Sequence, residues 1–182
     1  MIAYKAFRQG LICLGYKFKM GLNRTDKANC RQNGFHCAEN PLDCLTYYPD
    51  MGSSEYCIVS AGGDIDEDDV DSKISCTELT VLKKLTRREF FLHGLAFMAD
   101  HPLREWSRHV KKDRAEAQGG YAVVRGMDPV AKGEIGDILA LARENVETGI
   151  VEQVALTSVD GASIMPGKWY DVNLKERQVL YL

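Results

Sequence analysis

The segment Gly34–Asp43 constrains the fold of this chain more than any other feature. Asn40 is a favourable helix N-cap, and Pro41 suits the first helical position because its missing N–H would be unpaired there anyway. An acidic residue follows in the first turn, where a carboxylate meets the positive end of a helix. The segment therefore predicts a strand that leads into a short helix, which begins at Pro41 and ends at Tyr47 or Tyr48.

Short runs of β type surround this segment. The residue patterns predict strands over Ile2–Phe7, Cys13–Phe18, Glu55–Ala61 and Lys73–Leu82, with a turn at Met20–Asn23. Thr86 and Glu89 have the spacing of a capping box, and apolar residues follow them at helical spacing, which predicts a longer helix. We therefore expect an α+β fold, in which a small mixed sheet carries one short helix and one longer capping helix.

The second half of the chain has a different character. Residues 103–117 are polar and basic with a thin apolar stripe, which favours a helix, and Gly119-Gly120 then interrupts the chain. From Tyr121 onward the pattern is again that of strands. We predict three parts: an α+β domain over 1–100, a helical connector over 101–118, and a small β-rich module over 119–182.

Composition restricts the class of protein. The 182 residues are 45% hydrophobic and 27% charged, as in a globular protein, and the net charge of −3 gives no indication of a nucleic-acid binder. The sequence has no apolar run of the roughly 18 residues that a membrane span needs, and no secretory signal is visible at its start. We expect a cytoplasmic protein that does not contact the membrane.

The six cysteines all lie within the first 76 residues, and none forms a Cys-x-x-Cys pair. Structural zinc sites usually contain such close pairs, and a cytoplasmic location keeps thiols reduced. We therefore interpret the cysteines as buried thiols and expect neither a metal nor a cofactor.

Two charged segments are candidate partner-binding surfaces. The acidic segment contains Asp64, Asp66, Glu67, Asp68 and Asp69. It lacks the glycine and the final glutamate of a calcium loop, so it is either a solvated loop or a docking surface for a basic partner.

The basic segment contains Arg104, Arg108, Lys111 and Lys112, within residues 81–114 that hold nine Lys/Arg against four Asp/Glu. It is either a solvated helix face or a surface for an acidic protein or a nucleic acid. The sequence contains no glycine-rich phosphate loop that would support a nucleic-acid partner.

His36 and Glu39 flank the predicted N-cap and are candidates for a pocket. A histidine beside a carboxylate at a helix start is able to transfer protons or to bind a small anion. The alternative is structural: His36 is a strand residue, and Glu39 interacts with the helix dipole. No nucleophile motif, Walker loop or dinucleotide fingerprint is present, so the sequence favours a protein that acts by binding over an enzyme.

Four blocks resemble an uncharacterised domain that is common in phage and prophage proteins. They are Tyr4–Phe7, Tyr16–Gly21, Gly34–Asp43 and Asp71–Cys76, and the tail from Val159 to Tyr170 resembles the end module of such proteins. Longer members of this group carry repeats that suggest a β-solenoid. In this shorter chain, at most one or two turns of such a solenoid could form. The resemblance implies a phage accessory protein. Its expected activity is inhibition of a host protein, such as antiviral defence machinery, in the manner of an anti-CRISPR protein. The sequence does not decide whether the protein forms a homo-oligomer.

The order of the blocks also resembles that of ADP-ribosyltransferases. On that alternative, Lys5 and His36 line a nicotinamide pocket and Glu78 polarises the ribose, either in an active enzyme or in a decayed relative that binds a nucleotide. Lys5 stands where such enzymes carry Arg or His, and the Ser-Thr-Ser triplet of one branch is absent. The alternative requires His36 and Glu78 to meet in one cleft.

Overall fold

Strands dominate the computed structural model, which describes residues 1–26, 34–67 and 72–179. Strands hold 51% of these residues and helices 12%. The predicted α+β class, with a longer helix that caps a mixed sheet, is therefore wrong, and the protein is mostly β. The chain divides into two compact units, Met1–Phe90 and Phe91–Leu182, which are described separately.

The first unit is built on seven strands. They are β1 (Ile2–Arg8), β2 (Ile12–Cys13), β3 (Tyr16–Lys17), β4 (Gly21–Arg24), β5 (Phe35–Ala38), β6 (Ser54–Glu67) and β7 (Lys73–Leu85). Helix α1 (Arg87–Asp100) follows β7 across the division between the units. β6 is longer than predicted because it stays paired with β7 through the glycines and acids after Ala61, and β7 extends to Leu85 because its last residues pair with Tyr56–Ile58.

Pairing among these strands forms a closed circuit. β6 pairs with both β1 and β7, and β5 also pairs with both β1 and β7. The pairing between β1 and β5 is limited to Tyr4 and Ala38, whereas β1 pairs with β6 along its whole length. The buried side chains of these strands pack into one core cluster, which includes Phe7, Phe18 and Phe35.

A tight hairpin replaces the predicted strand Cys13–Phe18. Leu14 and Gly15 have φ angles of 48° and 80°, which place both residues in the left-handed region between β2 and β3. Two such residues in succession are typical of the two-residue turns that join antiparallel strands. The turn predicted at Met20–Asn23 is also wrong, because β4 pairs with β7 there.

A 3-10 helix over Pro41–Thr46 occupies the position of the predicted short helix. The Asn40 side chain accepts a hydrogen bond from the N–H of Leu42 at 3.1 Å, as expected of an N-cap. At the start of α1, Thr86 and Glu89 exchange hydrogen bonds of 2.8 and 3.2 Å, which confirms the capping box. Local signals for helix starts were therefore correct in both places.

The second unit holds six strands. They are β8 (Val110–Glu116), β9 (Tyr121–Lys132), β10 (Ile138–Glu144), β11 (Val151–Ser158), β12 (Trp169–Asp171) and β13 (Glu176–Arg177). β9 pairs in parallel with both β8 and β10, and β11 pairs antiparallel with β10. The predicted helical connector is wrong where β8 forms. Hydrogen bonds to β9, which the local pattern does not encode, fix this segment as a strand.

Arg125 is the most deeply buried charged residue of this unit, with 2% of its surface exposed. Its Nε donates to Glu144 at 2.7 Å, and its Nη2 donates to the carbonyls of Pro102 and Gly149 at 2.8 Å each. The guanidinium also lies 4.7 Å from the ring centroid of Trp106. These contacts tie the segment after α1 to β9, β10 and the turn before β11.

Within the described ranges, no helix combines the length and the apolar character that crossing a membrane requires.

Candidate functional site

A cleft of about 620 Å³ lies in the first unit, beside the place where β1 and β5 stop pairing. Its walls come from β1, the β2–β3 hairpin, β5, the 3-10 helix and the segment that follows this helix, together with the first residues of β6 and β7. Three tyrosines line it, Tyr4, Tyr47 and Tyr48, beside charged side chains of both signs. A volume of this size is in the range of small-molecule sites.

Lys5 is a buried cation at this cleft. Alternate residues of a strand share a face, so Lys5 lies on the same face of β1 as the core residues Ala3 and Phe7, and only 5% of it is exposed. Its Nζ donates a hydrogen bond to the carbonyl oxygen of His36 and lies 5.3 Å from the ring centroids of Phe7 and Phe18. In the described part of the chain, no carboxylate forms an ion pair with it.

His36 lies on β5 and also lines the cleft. Its Nε2 is buried and has no hydrogen-bond partner among the described residues. Burial, followed by the charges of Lys73 and Lys5, lowers the pKa of His36 from 6.5 to about 4. The imidazole is therefore neutral at pH 7, and two ammonium groups lie close enough to act on it electrostatically.

Lys73 provides the second of these ammonium groups, from the first position of β7. It pairs with Ala38 of β5, and its Nζ lies 5.3 Å from the ring centroid of Tyr47. The nearby carboxylate of Asp43 accepts a hydrogen bond from the Ser72 hydroxyl at 2.6 Å. This serine oxygen in turn accepts from the N–H of Asn40 at 3.1 Å. The helix start, the cleft acid and the beginning of β7 are therefore joined by one chain of hydrogen bonds.

The cleft is also lined by Arg8, Asp50 and a thiol–phenol pair. The hydroxyl of Tyr48 donates to the Sγ of Cys13 at 3.2 Å, and burial together with this contact raises the pKa of Tyr48. The hydroxyl of Tyr56 in turn donates to the backbone carbonyl of Tyr48. Tyr48 is thus held at both its hydroxyl and its backbone.

The four pocket candidates from the sequence do not all meet. Lys5 and His36 lie together in the cleft, but Glu39 and Glu78 do not line it. Glu39 uses its backbone N–H to bond the carbonyl of Ser72 at 2.9 Å. Glu78 forms an ion pair with Arg24 at 2.9 Å across the β4–β7 ladder. Since Glu78 is absent from the cleft, the geometry gives the transferase alternative no support.

The candidate partner-binding acids are only partly described. Asp64 and Asp66 lie in β6, where both are exposed, rather than in a loop. Glu67 is the last residue of β6, and its backbone pairs with Ile74. Asp68 and Asp69 lie outside the described residues.

The candidate basic residues lie in the second unit, and all four are exposed. Arg104 and Arg108 belong to the segment between α1 and β8, whereas Lys111 and Lys112 belong to β8. β8 pairs with β9, and lysines on an outer strand discourage pairing with other chains. The two lysines of β8 therefore have two possible roles: protection of an outer strand from pairing with other chains, and binding of a partner.

Sequence reasoning missed several residues of the cleft, namely Arg8, Cys13, Asp50, Lys73 and the three tyrosines. The order of residues along β1 places Tyr4 and Lys5 on opposite faces, but it does not show that β7 brings Lys73 beside them. That juxtaposition depends on the β5–β7 register, in which Ala38 pairs with Lys73. No local sequence pattern predicts that Lys73 lies beside β1.

In residues 1–26, 34–67 and 72–179, no group of three or more His, Cys, Asp or Glu side chains could hold a metal ion. Residues 1–93 match a family model described as "Domain of unknown function (DUF7666)". No curated protein and no solved structure matches the chain significantly.

Proposed function

The chain belongs to the DUF7666 family of domains of unknown function, and on this basis we propose that its N-terminal domain is a binding module for a small anionic molecule. The matched residues contain every wall of the cleft described above. The proposal thus assigns a ligand site to the domain that defines the family.

One observation carries this proposal: His36, whose buried Nε2 has no hydrogen-bond partner among the described residues, lines the cleft together with Lys5 and Lys73. A buried polar atom without a hydrogen bond costs free energy, on the order of 1–3 kcal/mol in proteins. Lys5 is a buried cation whose Nζ donates to a backbone carbonyl, and among the described residues it has no ion pair with a carboxylate. An anion in the cleft is attracted to both lysines, because attraction between opposite charges is stronger in a partly desolvated site than in water.

The shape of the cleft fits a small molecule. Its volume of about 620 Å³ lies within the roughly 300–1,000 Å³ of typical ligand sites. Tyrosine rings give such sites apolar contact area, with a polar hydroxyl at the end of each ring. Since Tyr48 is held at its hydroxyl and at its backbone, part of this wall is already ordered in the free protein.

The contacts in the cleft favour binding over catalysis. Burial raises the pKa of the Cys44 thiol to about 12, so Cys44 is not a nucleophile near neutral pH. Cys13 accepts a hydrogen bond from Tyr48 and therefore has no base to remove its proton there. Asp43 is already bonded to Ser72. A reaction would need an activated group that these contacts do not provide.

The test is a titration of the full-length protein with acetate, benzoate, inorganic phosphate and adenosine monophosphate, followed by amide NMR shifts. We expect at least one anion to shift the amides of residues 34–38 and 72–75 in a saturable manner. Lys73→Met weakens that binding, whereas the exposed Lys19→Met has no effect. If none of the four anions shifts these amides, or if Lys73→Met leaves the binding unchanged, the proposal is wrong.

A second proposal concerns the protein surface and retains the hypothesis of a phage accessory protein that inhibits a host protein. The exposed lysines Lys111 and Lys112 support it, because two exposed cations on an outer strand attract an acidic partner. Co-purification from a bacterial lysate should then recover a stoichiometric partner, and the double substitution K111E/K112E should lose it. Equal recovery with the double variant would remove the basis of this second proposal.

A further inference from the structure

We infer that β11 pairs with β11 of a second copy of this chain, so that the sheets of two second units join about a two-fold axis at Ala155. The inference concerns the second unit and is independent of the anion site in the first. Three observations lead to it: an unpaired strand edge, the lack of side chains that protect such edges, and a residue order that matches itself when reversed.

β11 leaves one edge of its sheet unpaired. Within the described ranges its one strand partner is β10, and none of its eight side chains is buried. The N–H of Val159 donates to the carbonyl of Asp137 at 2.9 Å in the same register, so every second residue back along β11 directs its backbone groups toward β10. The N–H and C=O groups of Val154 and Leu156 therefore point away from β10, and no described residue bonds them.

β11 also lacks the features that usually protect an outer strand. Natural edge strands carry charges, prolines or bulges, because an unpaired edge is a template for another strand. β8, which is also an outer strand, has five charged residues among its seven and a register shift between Lys112 and Arg114. β11 has one charged residue among its eight, Glu152, which lies at a register shift near the start of the strand. From Gln153 to Ser158 the strand has no charge, no proline and no register shift, so this edge is open to pairing.

The order of residues makes the edge complementary to itself. In an antiparallel pair centred on Ala155, Val154 of each copy lies opposite Leu156 of the other, and these are the residues whose backbone groups point outward. Their side chains share one face of the sheet and are partly exposed, Val154 by 42%, so the pairing covers apolar surface that a single copy leaves in water. The two Glu152 carboxylates lie at opposite ends of the pair, so no like charges meet. A second copy of this chain therefore fits the edge in both hydrogen bonding and charge.

The experiment combines sedimentation equilibrium of the full-length protein with amide hydrogen exchange by NMR, at concentrations between about 50 μM and 1 mM. We expect a reversible dimer whose fraction rises with concentration. The amides of Val154 and Leu156 should become more protected as the dimer forms, because they pair only across the new edge. The amides of Ala155 and Thr157 should be protected at every concentration, because they already bond β10.

Two substitutions test the edge directly. Val154→Lys should raise the dissociation constant of the dimer at least roughly tenfold, because the two new ammonium groups become diagonal neighbours across the axis. Leu156→Pro removes an outward N–H and none of the bonds to β10, so it should have a similar effect. Val146→Lys is the matched control: Val146 lies in the turn before β11, is 74% exposed, and receives the same charge away from the edge. Far-UV circular dichroism checks that each variant is folded.

Three results would overturn the inference. The first is a protein that stays monomeric over the whole concentration range, even if a different protein binds this edge. The second is a dimer in which Val154 and Leu156 remain unprotected, since another surface then forms the contact. The third is a dimer that a folded Val154→Lys and a folded Leu156→Pro weaken no more than Val146→Lys does.

Discussion

Lys5 on β1 donates a hydrogen bond from its Nζ to the backbone carbonyl of His36 on β5, beside the position where these strands stop pairing. In the antiparallel register set by Tyr4 and Ala38, this carbonyl lies opposite Ala6, but no backbone pair forms there. The Lys5 side chain thus bonds this carbonyl at the point where pairing between β1 and β5 has ended.

This contact makes Lys5 a stabilising residue as well as a candidate ligand-binding one. We expect Lys5→Met to lower the free energy of unfolding by about 1–2 kcal/mol, because the His36 carbonyl loses its donor in a partly buried place. Urea unfolding of the ligand-free protein, followed by far-UV circular dichroism, measures the change. Lys19→Met is the matched control, since Lys19 is exposed, and it should change the value by less than about 0.5 kcal/mol. An equal effect of both substitutions would contradict the stabilising role.

The lowered pKa of His36 predicts how stability depends on pH. The unfolded chain takes up the proton near pH 6.5, whereas the folded protein takes it up only near pH 4. Between these values the unfolded state binds more protons, so stability decreases as the pH falls from 6.5 to 4 and levels off below that. NMR titration of the His36 side chain should give a pKa of about 4.

The control for this prediction is His36→Gln, which removes the titrating group. Its loss of stability between pH 7 and pH 4.5 should be smaller than that of the natural protein, because only the carboxylates then contribute. A His36 pKa near 6.5, or identical pH profiles of the two proteins, would show that the imidazole is solvated rather than buried.

The cap at Asn40 predicts a specific loss of stability. Asn40→Ala removes the acceptor for the Leu42 N–H and should cost about 1 kcal/mol, because that N–H is buried at the start of the 3-10 helix. Asn40→Ser keeps an acceptor at the same place and should recover most of the loss. Urea unfolding of the three proteins checks this. If serine and alanine destabilise equally, the cap hydrogen bond is not the cause.

The buried contacts of Arg125 predict the largest single effect in the second unit. Arg125→Met leaves the Glu144 carboxylate without its buried partner and should cost about 3–5 kcal/mol. Both tryptophans of the chain, Trp106 and Trp169, belong to this unit, so their fluorescence during urea unfolding reports its stability.

Lys168→Met is the matched control for Arg125→Met. Lys168 also forms an ion pair, with Glu176 at 3.2 Å, but both side chains are about half exposed. Exposed pairs contribute about 0–1 kcal/mol, so this substitution should have a small effect. A small effect of Arg125→Met as well would mean that its buried contacts contribute little net stability.

Predictions that depend on a few neighbouring residues were the reliable ones. The N-cap at Asn40, the capping box of Thr86 and Glu89, and the first strand all form as the sequence indicates. Each depends on hydrogen bonds or side-chain alternation within a few positions. The prediction for residues 103–117 was wrong because its apolar stripe is thin, so pairing with a distant strand decides the conformation.

The sequence by itself determined the start of the two helices and the position of β1. Tertiary structure decided that the fold is mostly β, that Lys5, His36 and Lys73 line one cleft with the tyrosines, and that Glu78 does not. The physical reason is register. A helix cap, or the alternation of apolar and polar residues in a strand, involves residues within one turn or one strand. The neighbours of a residue in a β-sheet lie on other strands, which are tens of residues away in the sequence. Only the hydrogen-bonded circuit of β1, β5, β7 and β6 brings these residues to one cleft.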